Sequence, residues 1–124
     1  MKRLVFDLDG TLTHDDPSVG YAERRPNQAM VKKLRAYQAE GFEIVICSAR
    51  NMQTYAGQVG KINANTLPVI LDWLTRHAIP YDELHVGKPW CGTEGFYVDD
   101  KAVRPSEFLA LTHDEIRALL ARES

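Results

Sequence analysis

Residues 4 to 11 read Leu-Val-Phe-Asp-Leu-Asp-Gly-Thr, an apolar run that ends in two aspartates, a glycine and a threonine. The apolar residues 4–6 have the character of a buried strand, and Gly10 permits a sharp turn after it. Asp7 and Asp9 stand two positions apart, so their carboxylates share one side of an extended chain. Two anions held this close repel each other unless a cation lies between them, and a divalent metal that prefers oxygen ligands fits best. A hairpin turn at Asp9 and Gly10 would explain the glycine but not Asp7.

The composition is that of an ordinary globular protein of 124 residues, with 44% hydrophobic and 26% charged residues. This length predicts a single domain that spans residues 1–124. A formal net charge of -2 argues against binding to nucleic acid, and no apolar stretch is long enough to cross a membrane. Cys47 and Cys91 are too few for a disulfide framework and lack the spacing of a zinc site. Because the N-terminus has no signal-peptide pattern, we expect a cytoplasmic protein.

Apolar strands alternate with amphipathic helices along the chain, a pattern typical of an α/β fold whose parallel sheet is covered on both faces. The predicted strands cover residues 3–6, 43–47, 83–86 and 95–98. The predicted helices run from the N-cap Asn27 to about Glu40, from Thr66 to about His77, and onward from Thr112, where Glu115 completes a capping box. Residues 12–26 and 51–65 are mostly polar and are predicted to be loops.

A polar or charged side chain follows each of the four predicted strands. Because ligands bind at the carboxyl ends of parallel strands, these side chains should meet in one place although the sequence separates them. The residues expected there are Asp7, Asp9, Ser48, Lys88, Asp99 and Asp100. Four carboxylates and one lysine suit Mg²⁺, which takes oxygen ligands and keeps waters that a phosphate can displace. We therefore expect a magnesium site that binds a small phosphorylated substrate.

Phosphoryl transfer gives each of these groups a task. A carboxylate such as Asp7 can act as a covalent nucleophile and form an aspartyl-phosphate. Mg²⁺ and Lys88 can neutralise the spreading negative charge, and Ser48 can donate a hydrogen bond to a phosphoryl oxygen. Asp9 can protonate the leaving oxygen and then take a proton from the water that cleaves the intermediate.

These residues resemble the magnesium-dependent phosphatases of the haloacid dehalogenase superfamily. That family begins with Asp-x-Asp-Gly-Thr after an apolar strand, which residues 7–11 match. Its second motif is a Ser or Thr that closes strand two, here Ser48, and its third is a downstream Lys, here Lys88. Its fourth is an acidic pair that closes another strand, here Asp99 and Asp100. Because members that break carbon–halogen bonds lack the second aspartate of the first motif, the resemblance points to hydrolysis of phosphate esters.

The resemblance implies a three-layer, Rossmann-like fold with the strand order 3-2-1-4, and it assigns roles within the site. Asp7 is the nucleophile, Asp9 is the general acid/base, and Ser48 and Lys88 complete the catalytic set. The implied metal ligands are Asp7, the backbone carbonyl of Leu8, Asp99, Asp100 directly or through water, and Asp9 as a further candidate. The implied substrate-binding residues are Gly10, Thr11, Ala49 and Arg50. Arg50 could grip a second anionic group of the substrate, or it could form an ion pair with an acid of a loop.

The gaps between the motifs leave no room for the cap domain that most members of the family insert. The first gap holds a loop and one helix, and the second holds a loop, a helix and a strand. Such a site is open to water, so we expect a large substrate or a neighbouring subunit over it, and the resemblance favours a homo-oligomer, either dimer or tetramer. Residues 51–68, 85–90 and 97–105 further resemble small capless phosphatases of bacterial capsular polysaccharide synthesis, which implies a sugar-type phosphate as substrate.

Two other functions stay open from the sequence. An open site could admit a polymer, as in a phosphatase of nucleic-acid ends, although the net charge of -2 disfavours it. A receiver-like module, in which Asp7 is phosphorylated and signals, would also gather acids and a lysine at strand ends. Asp9 argues against the receiver, because a general acid/base serves to turn the phosphoenzyme over.

Overall fold

Strand β2 (Glu43–Cys47) lies between β1 (Arg3–Phe6) and β3 (Glu83–His85) in a computed structural model that describes residues 1–123. The three strands are parallel, with Val5 beside Val45 in one pair and Ile46 beside Leu84 in the other. Residues 44–46 of β2 are buried, as expected for a central strand that is covered on both faces. The fold is therefore α/β with a small parallel sheet, and its three strands have the expected relative order 3-2-1.

Along the chain, each strand is followed by helices. They are α1 (Gln28–Ala39), α2 (Val59–Asn65), α3 (Leu67–Arg76), α4 (Pro105–Ala110), α5 (His113–Ala121) and a short 3-10 helix, Tyr21–Glu23. The chain divides into two compact units, the first of residues 1–90 and the second beginning at Cys91. The sheet, the 3-10 helix and α1 to α3 belong to the first unit. None of the helices within residues 1–123 has the length and apolar character needed to cross a bilayer.

Helix α1 begins and ends where the sequence predicts. Asn27 Oδ1 accepts a hydrogen bond from Met30 N at 3.2 Å, which satisfies one free amide of the first turn. After the C-cap Glu40, Gly41 has a φ of 95°, a conformation that glycine adopts without steric cost. The buried face consists of Met30, Val31, Leu34 and Tyr37. This face packs α1 onto the sheet, where it contacts β2.

Helix α3 anchors the loop that follows the first motif. Trp73 is fully buried, and its Nε1 donates a hydrogen bond to Arg24 O at 2.7 Å. One helical turn further on, Arg76 Nη2 donates to Ala22 O at 2.6 Å. Because a buried indole N–H needs an acceptor, the Trp73 contact ties the 3-10 helix to the core of the first unit.

The prediction of a fourth strand over residues 95–98 is wrong, because these residues form no strand in the part of the chain that the structure describes. The side chains of Phe96 and Val98 are exposed instead of buried. Apolar composition favours a strand, but a strand forms only where a neighbour satisfies its backbone groups. The expected order 3-2-1-4 is therefore present only in its first three strands.

The loop predicted over residues 51–65 contains helix α2. Only Ile62 of this helix is buried, so the sequence has no amphipathic pattern that would reveal it. Thr66 occupies the N-cap position of α3 as predicted, but its side chain accepts no hydrogen bond from the helix, and its Oγ1 donates to Asn51 Oδ1 at 2.7 Å. The capping box of α5 is confirmed, and Glu115 N donates to Thr112 Oγ1 at 3.2 Å.

Candidate active site

The chain turns back on itself directly after β1. Leu8 O accepts hydrogen bonds from the amides of Thr11, Leu12 and Thr13, at 3.2, 2.9 and 3.0 Å. Gly10 has a φ of 81°, in the left-handed region that favours glycine, and its N donates to Thr13 Oγ1 at 3.3 Å. Leu8 and Leu12 are fully buried and fix the turn to the core. The turn is thus closed by its own amides, and the acidic side chains on it have fixed positions.

Asp7 accepts hydrogen bonds on both carboxylate oxygens. Thr11 Oγ1 donates to Oδ2 at 3.2 Å, and Lys88 Nζ donates to Oδ1 at 3.4 Å. Lys88 follows β3, where its backbone N also donates to Ser48 O at 3.1 Å. The side chain of Asp7 remains 37% exposed, so a substrate can reach it. Four of the residues predicted for the site, Asp7, Thr11, Ser48 and Lys88, are therefore linked directly.

Ser48 is buried just after β2 and orients the loop that follows. Its Oγ accepts a hydrogen bond from Arg50 N at 3.0 Å, and its own hydroxyl proton has no protein acceptor among residues 1–123. Ala49 N has no protein acceptor in that part of the chain either. Both donors follow β2 at the edge of the sheet where Asp7 follows β1. Free donors beside a nucleophile can bind the oxygens of a phosphoryl group.

Asp9 is held by two arginines. Arg50 Nε donates to Oδ2 at 3.0 Å and Arg50 Nη2 donates to Oδ1 at 2.8 Å, the paired geometry in which a guanidinium fits a carboxylate. Arg24 Nη1 lies 3.6 Å from Asp9 Oδ1 and also donates to Asp15 Oδ1 at 3.2 Å. Of the two interpretations of Arg50, the structure shows the ion pair.

Tyr21 packs against both of these arginines. Its ring centroid lies 4.2 Å from Arg50 Cζ and 4.5 Å from Arg24 Cζ, within the range of a cation–π contact. The Arg50 side chain is 1% exposed, and its Nη1 is buried without a hydrogen-bond partner in the described part of the chain. A guanidinium buried in this way depends on Asp9 and Tyr21 for its stabilisation.

The hydrogen bonds around the end of β1 show which oxygens there are available to a metal. The Leu8 carbonyl already accepts three backbone amides, so it is not free to bind a metal. The Asp9 carbonyl accepts no hydrogen bond from residues 1–123 and, with the Asp7 carboxylate, offers the oxygen ligands that Mg²⁺ prefers. No group of three or more His, Cys, Asp or Glu side chains within those residues is placed to hold a metal. Mg²⁺ often takes only one or two carboxylates and completes its shell with water and substrate phosphate, so the two oxygens fit it.

The predicted acidic pair, Asp99 and Asp100, lies in the second unit, and both residues are exposed. Asp99 Oδ1 accepts a hydrogen bond from Lys101 N at 2.8 Å, which closes a local turn. The assignment of these two aspartates as metal ligands stays a prediction.

Sequence reasoning missed Arg24 and Tyr21. Both lie in the predicted loop of residues 12–26, where Arg24 and Arg25 stand side by side among other charged residues. No periodicity in this loop separates Arg24, which contacts Asp9, from its neighbour. The one usable signal is Tyr21, a large aromatic residue in a loop that is mostly polar.

Comparison with known proteins gives a family match and a similar solved structure. Residues 4–71 match the family model of the haloacid dehalogenase-like hydrolases. The chain is 55% identical to a protein from Vibrio cholerae of known crystal structure, with 100% of both chains covered and a TM-score of 0.96. No curated protein matches the chain. The family match includes the first motif, β2 and Ser48, and it shows that the chain belongs to the haloacid dehalogenase-like hydrolases.

Proposed function

We propose that the protein is a Mg²⁺-dependent phosphomonoesterase that works through an aspartyl-phosphate at Asp7. The observation that carries the proposal is the pair of contacts on Asp7, from Lys88 Nζ at 3.4 Å and from Thr11 Oγ1 at 3.2 Å, where β1 ends. A carboxylate nucleophile must be held in place, and a cation beside it offsets the charge of the incoming phosphoryl group. Membership of a hydrolase family supports hydrolysis as the reaction.

The first step forms the covalent intermediate. A carboxylate oxygen of Asp7 attacks phosphorus, the bond from phosphorus to the leaving oxygen breaks, and Asp9 gives that oxygen a proton. Lys88 offsets the negative charge on the phosphoryl oxygens, to which the Ser48 hydroxyl and the Ala49 amide donate hydrogen bonds. The alcohol leaves, and phosphorus stays bonded to Asp7.

The second step returns the enzyme to its starting state. Water attacks phosphorus and gives a proton to Asp9, and the bond from phosphorus to the Asp7 oxygen breaks. Inorganic phosphate leaves, Asp7 is again a carboxylate, and Asp9 is protonated for the next cycle. Each Asp9 oxygen accepts one hydrogen bond from Arg50 in the structure and keeps a second lone pair for the proton transfers.

Mg²⁺ would be held by the Asp7 carboxylate and the Asp9 carbonyl, with Asp99 and Asp100 as the further acids of the proposal. When bound, the ion neutralises charge on the phosphoryl group and reduces its repulsion from Asp7. These few protein oxygens suffice because Mg²⁺ keeps several waters and takes an oxygen from the substrate.

The proposed substrate is a small sugar-type phosphate, used in the cytoplasm for the synthesis of a capsular polysaccharide. The likeness of residues 51–68, 85–90 and 97–105 to capsule phosphatases supports this class of substrate. No cap domain is inserted in the first unit, since only the 3-10 helix and α1 separate the first motif from β2, and only α2, α3 and β3 separate Ser48 from Lys88. The free thiols of Cys47 and Cys91 agree with a reducing compartment.

Release of inorganic phosphate from an aryl phosphate tests the reaction. We expect turnover to require Mg²⁺, to stop when a chelator is added, and to fall about a thousandfold or more in Asp7→Asn. Asp114→Asn, a change at an exposed aspartate of α5, is the matched control and should keep wild-type turnover. Full activity in Asp7→Asn would refute the covalent mechanism.

Two further measurements separate the substrate classes and the receiver alternative. A panel of sugar, polyol and nucleotide phosphates should show its highest kcat/KM on a sugar phosphate, whereas a preference for phosphorylated oligonucleotides would indicate a phosphatase of nucleic-acid ends. Acid-quenched protein should carry a short-lived acyl phosphate at Asp7. A phosphoenzyme that persists for minutes would instead favour the receiver-like module.

A further inference from the structure

Two guanidinium groups lie against one carboxylate in the candidate active site. Arg50 Nη2 is 2.8 Å and Arg24 Nη1 is 3.6 Å from the same oxygen of Asp9, Oδ1. The two arginine side chains are 1% and 12% exposed, so little water reaches either charge. Arg24 also contacts Asp15, but that side chain is 70% exposed, and water screens its charge. Two cations held around one buried acid repel each other unless a further group stabilises them.

The ring of Tyr21 is that further group. Its centroid lies 4.2 Å from Arg50 Cζ and 4.5 Å from Arg24 Cζ, so one ring contacts both cations. An aromatic face attracts a cation through its quadrupole, but it is only a weak hydrogen-bond acceptor. The N–H groups of Arg50 therefore stay directed at Asp9, whereas a carboxylate in place of the ring would compete for them.

The position of Tyr21 is set by the backbone of the 3-10 helix. Helix α3 holds that backbone on the C-terminal side of the ring, where Arg76 Nη2 donates to Ala22 O at 2.6 Å and Trp73 Nε1 donates to Arg24 O at 2.7 Å. The Tyr21 hydroxyl forms no hydrogen bond with any residue from 1 to 123. The contacts of Tyr21 with the arginines are thus made by its ring, on an element that is fixed by other residues.

We propose that Tyr21 is a positioning residue for the proton transfers of Asp9. Its ring keeps both guanidinium groups against the carboxylate, and these groups fix the direction in which Asp9 gives its proton to the leaving oxygen as the bond from phosphorus to that oxygen breaks. Tyr21 acts through Arg50 and Arg24 and not by contact with the substrate. The inference rests on the proposed function, because it takes Asp9 as the general acid/base.

A misplaced general acid has a signature that depends on the substrate. A leaving group of low pKa, such as 4-nitrophenolate, departs with little help from a proton, whereas an alkoxide departs only when it is protonated. A variant in which Asp9 is badly placed should therefore lose far more activity on an alkyl phosphate than on 4-nitrophenyl phosphate. A smaller fraction of folded protein would instead lower both rates by the same factor.

The test compares kcat/KM on an alkyl phosphate and on 4-nitrophenyl phosphate, each pair measured on one preparation, because this constant includes the departure of the leaving group but not the later hydrolysis. In Tyr21→Leu we expect a loss of about tenfold or more on the alkyl phosphate and of less than about threefold on 4-nitrophenyl phosphate. Tyr21→Phe keeps the ring and should have the wild-type ratio of the two constants. Tyr81→Leu, the same change at a partly buried tyrosine before β3, is the matched control and should also keep that ratio.

The outcomes separate the role of Tyr21 from the proposed function. An equal loss on both substrates in Tyr21→Leu, or a Tyr21→Phe variant that behaves like Tyr21→Leu, would overturn the positioning role. A wild-type protein that releases no phosphate would overturn the proposed function instead. Urea denaturation then still tests the contact, because the losses of unfolding free energy in Tyr21→Leu and Arg50→Ala should sum to more than the loss in the double variant. Additive losses would show that the ring does not support Arg50.

Discussion

Arg50 holds both carboxylate oxygens of Asp9, through Nε at 3.0 Å from Oδ2 and through Nη2 at 2.8 Å from Oδ1. Asp9, which moves protons in the proposed mechanism, thus accepts a hydrogen bond on each of its carboxylate oxygens. Tyr21 covers the guanidinium, and Arg24 lies 3.6 Å from Oδ1. The arrangement fixes the position of the Asp9 carboxylate, so loss of the Arg50 contact should affect turnover.

Replacing Arg50 should lower kcat more than it raises KM. In Arg50→Ala the carboxylate of Asp9 loses its paired partner, and we expect kcat to fall by about 10²-fold, as for a misplaced general acid. Arg50→Lys keeps the charge but not the paired geometry, so it should recover only part of the loss. Steady-state kinetics measures both constants. A large rise in KM with unchanged kcat would show instead that Arg50 binds the substrate.

The same variants should also lose stability. Arg50 is almost fully buried and Asp9 is 23% exposed, so we expect Arg50→Ala to lower the free energy of unfolding by about 2 kcal/mol. Urea denaturation of the wild type and of Arg50→Ala measures this difference in the free energy of unfolding. Arg117→Ala, which removes an exposed ion pair on α5, is the control and should change the free energy by less than about 0.5 kcal/mol.

Loss of the Lys88 charge should slow the chemical step. Lys88 Nζ contacts Asp7, the nucleophile of the proposed mechanism, so Lys88→Gln should reduce kcat by about 10²- to 10³-fold, as when a donor that stabilises developing charge is removed. Lys88→Arg should retain more activity than Lys88→Gln. Lys61→Gln, at an exposed lysine of α2, serves as the control in single-turnover measurements. Equal rates in Lys88→Gln and Lys61→Gln would exclude an electrostatic role.

Trp73→Phe should destabilise the protein although it keeps an aromatic ring in the core. The substitution removes the N–H that Arg24 O accepts at 2.7 Å, and an unsatisfied carbonyl should cost about 1–3 kcal/mol of unfolding free energy. Because Arg24 also contacts Asp9, kcat should fall several-fold at temperatures where the variant is fully folded. Trp90→Phe, at an exposed tryptophan, should leave the unfolding midpoint nearly unchanged.

Glu83 should make stability depend on pH in the acid range. A hydrogen bond from His85 holds the pKa of Glu83 below its usual value of 4.5, and the Arg3 guanidinium acts in the same direction. A carboxyl group with a lowered pKa in the folded state stabilises the protein above the pKa of the unfolded chain, and this contribution is lost as the pH falls through the folded-state pKa.

Glu83→Gln should therefore be less stable than the wild type at neutral pH, and the difference should shrink as the pH falls below 4.5. Urea midpoints measured from neutral to acid pH give the comparison, with Glu94→Gln as the exposed control. A difference that stays constant over the whole range would mean that Glu83 acts through packing and not through its charge.

Much of the sheet and three of the helices could be predicted from local patterns. The bounds of β1 and β2 agree with their apolar runs, and α1 is bounded by Asn27 and Gly41 as predicted. Helices α3 and α5 also begin after Thr66 and Thr112 as predicted. The contact of Lys88 with Asp7 was predictable for a different reason, because parallel topology brings the carboxyl ends of strands together whatever their separation in sequence.

The features that could not be predicted depend on partners far away in sequence. Residues 95–98 have the composition of a strand, but strand formation also requires a neighbouring backbone, and composition does not say which one. The choice of Asp9 as the partner of Arg50 depends on how two loops approach each other, and neither loop carries a periodic pattern. Helix α2 buries only Ile62, so hydrophobic periodicity could not detect it.

The turn after β1 has a consequence for how the site can change in evolution. Three amides of the turn donate to the Leu8 carbonyl, and Leu8 and Leu12 are fully buried, so the turn keeps its shape without help from the carboxylates. A lineage can therefore exchange either aspartate and acquire a different chemistry while the loop that presents it stays folded.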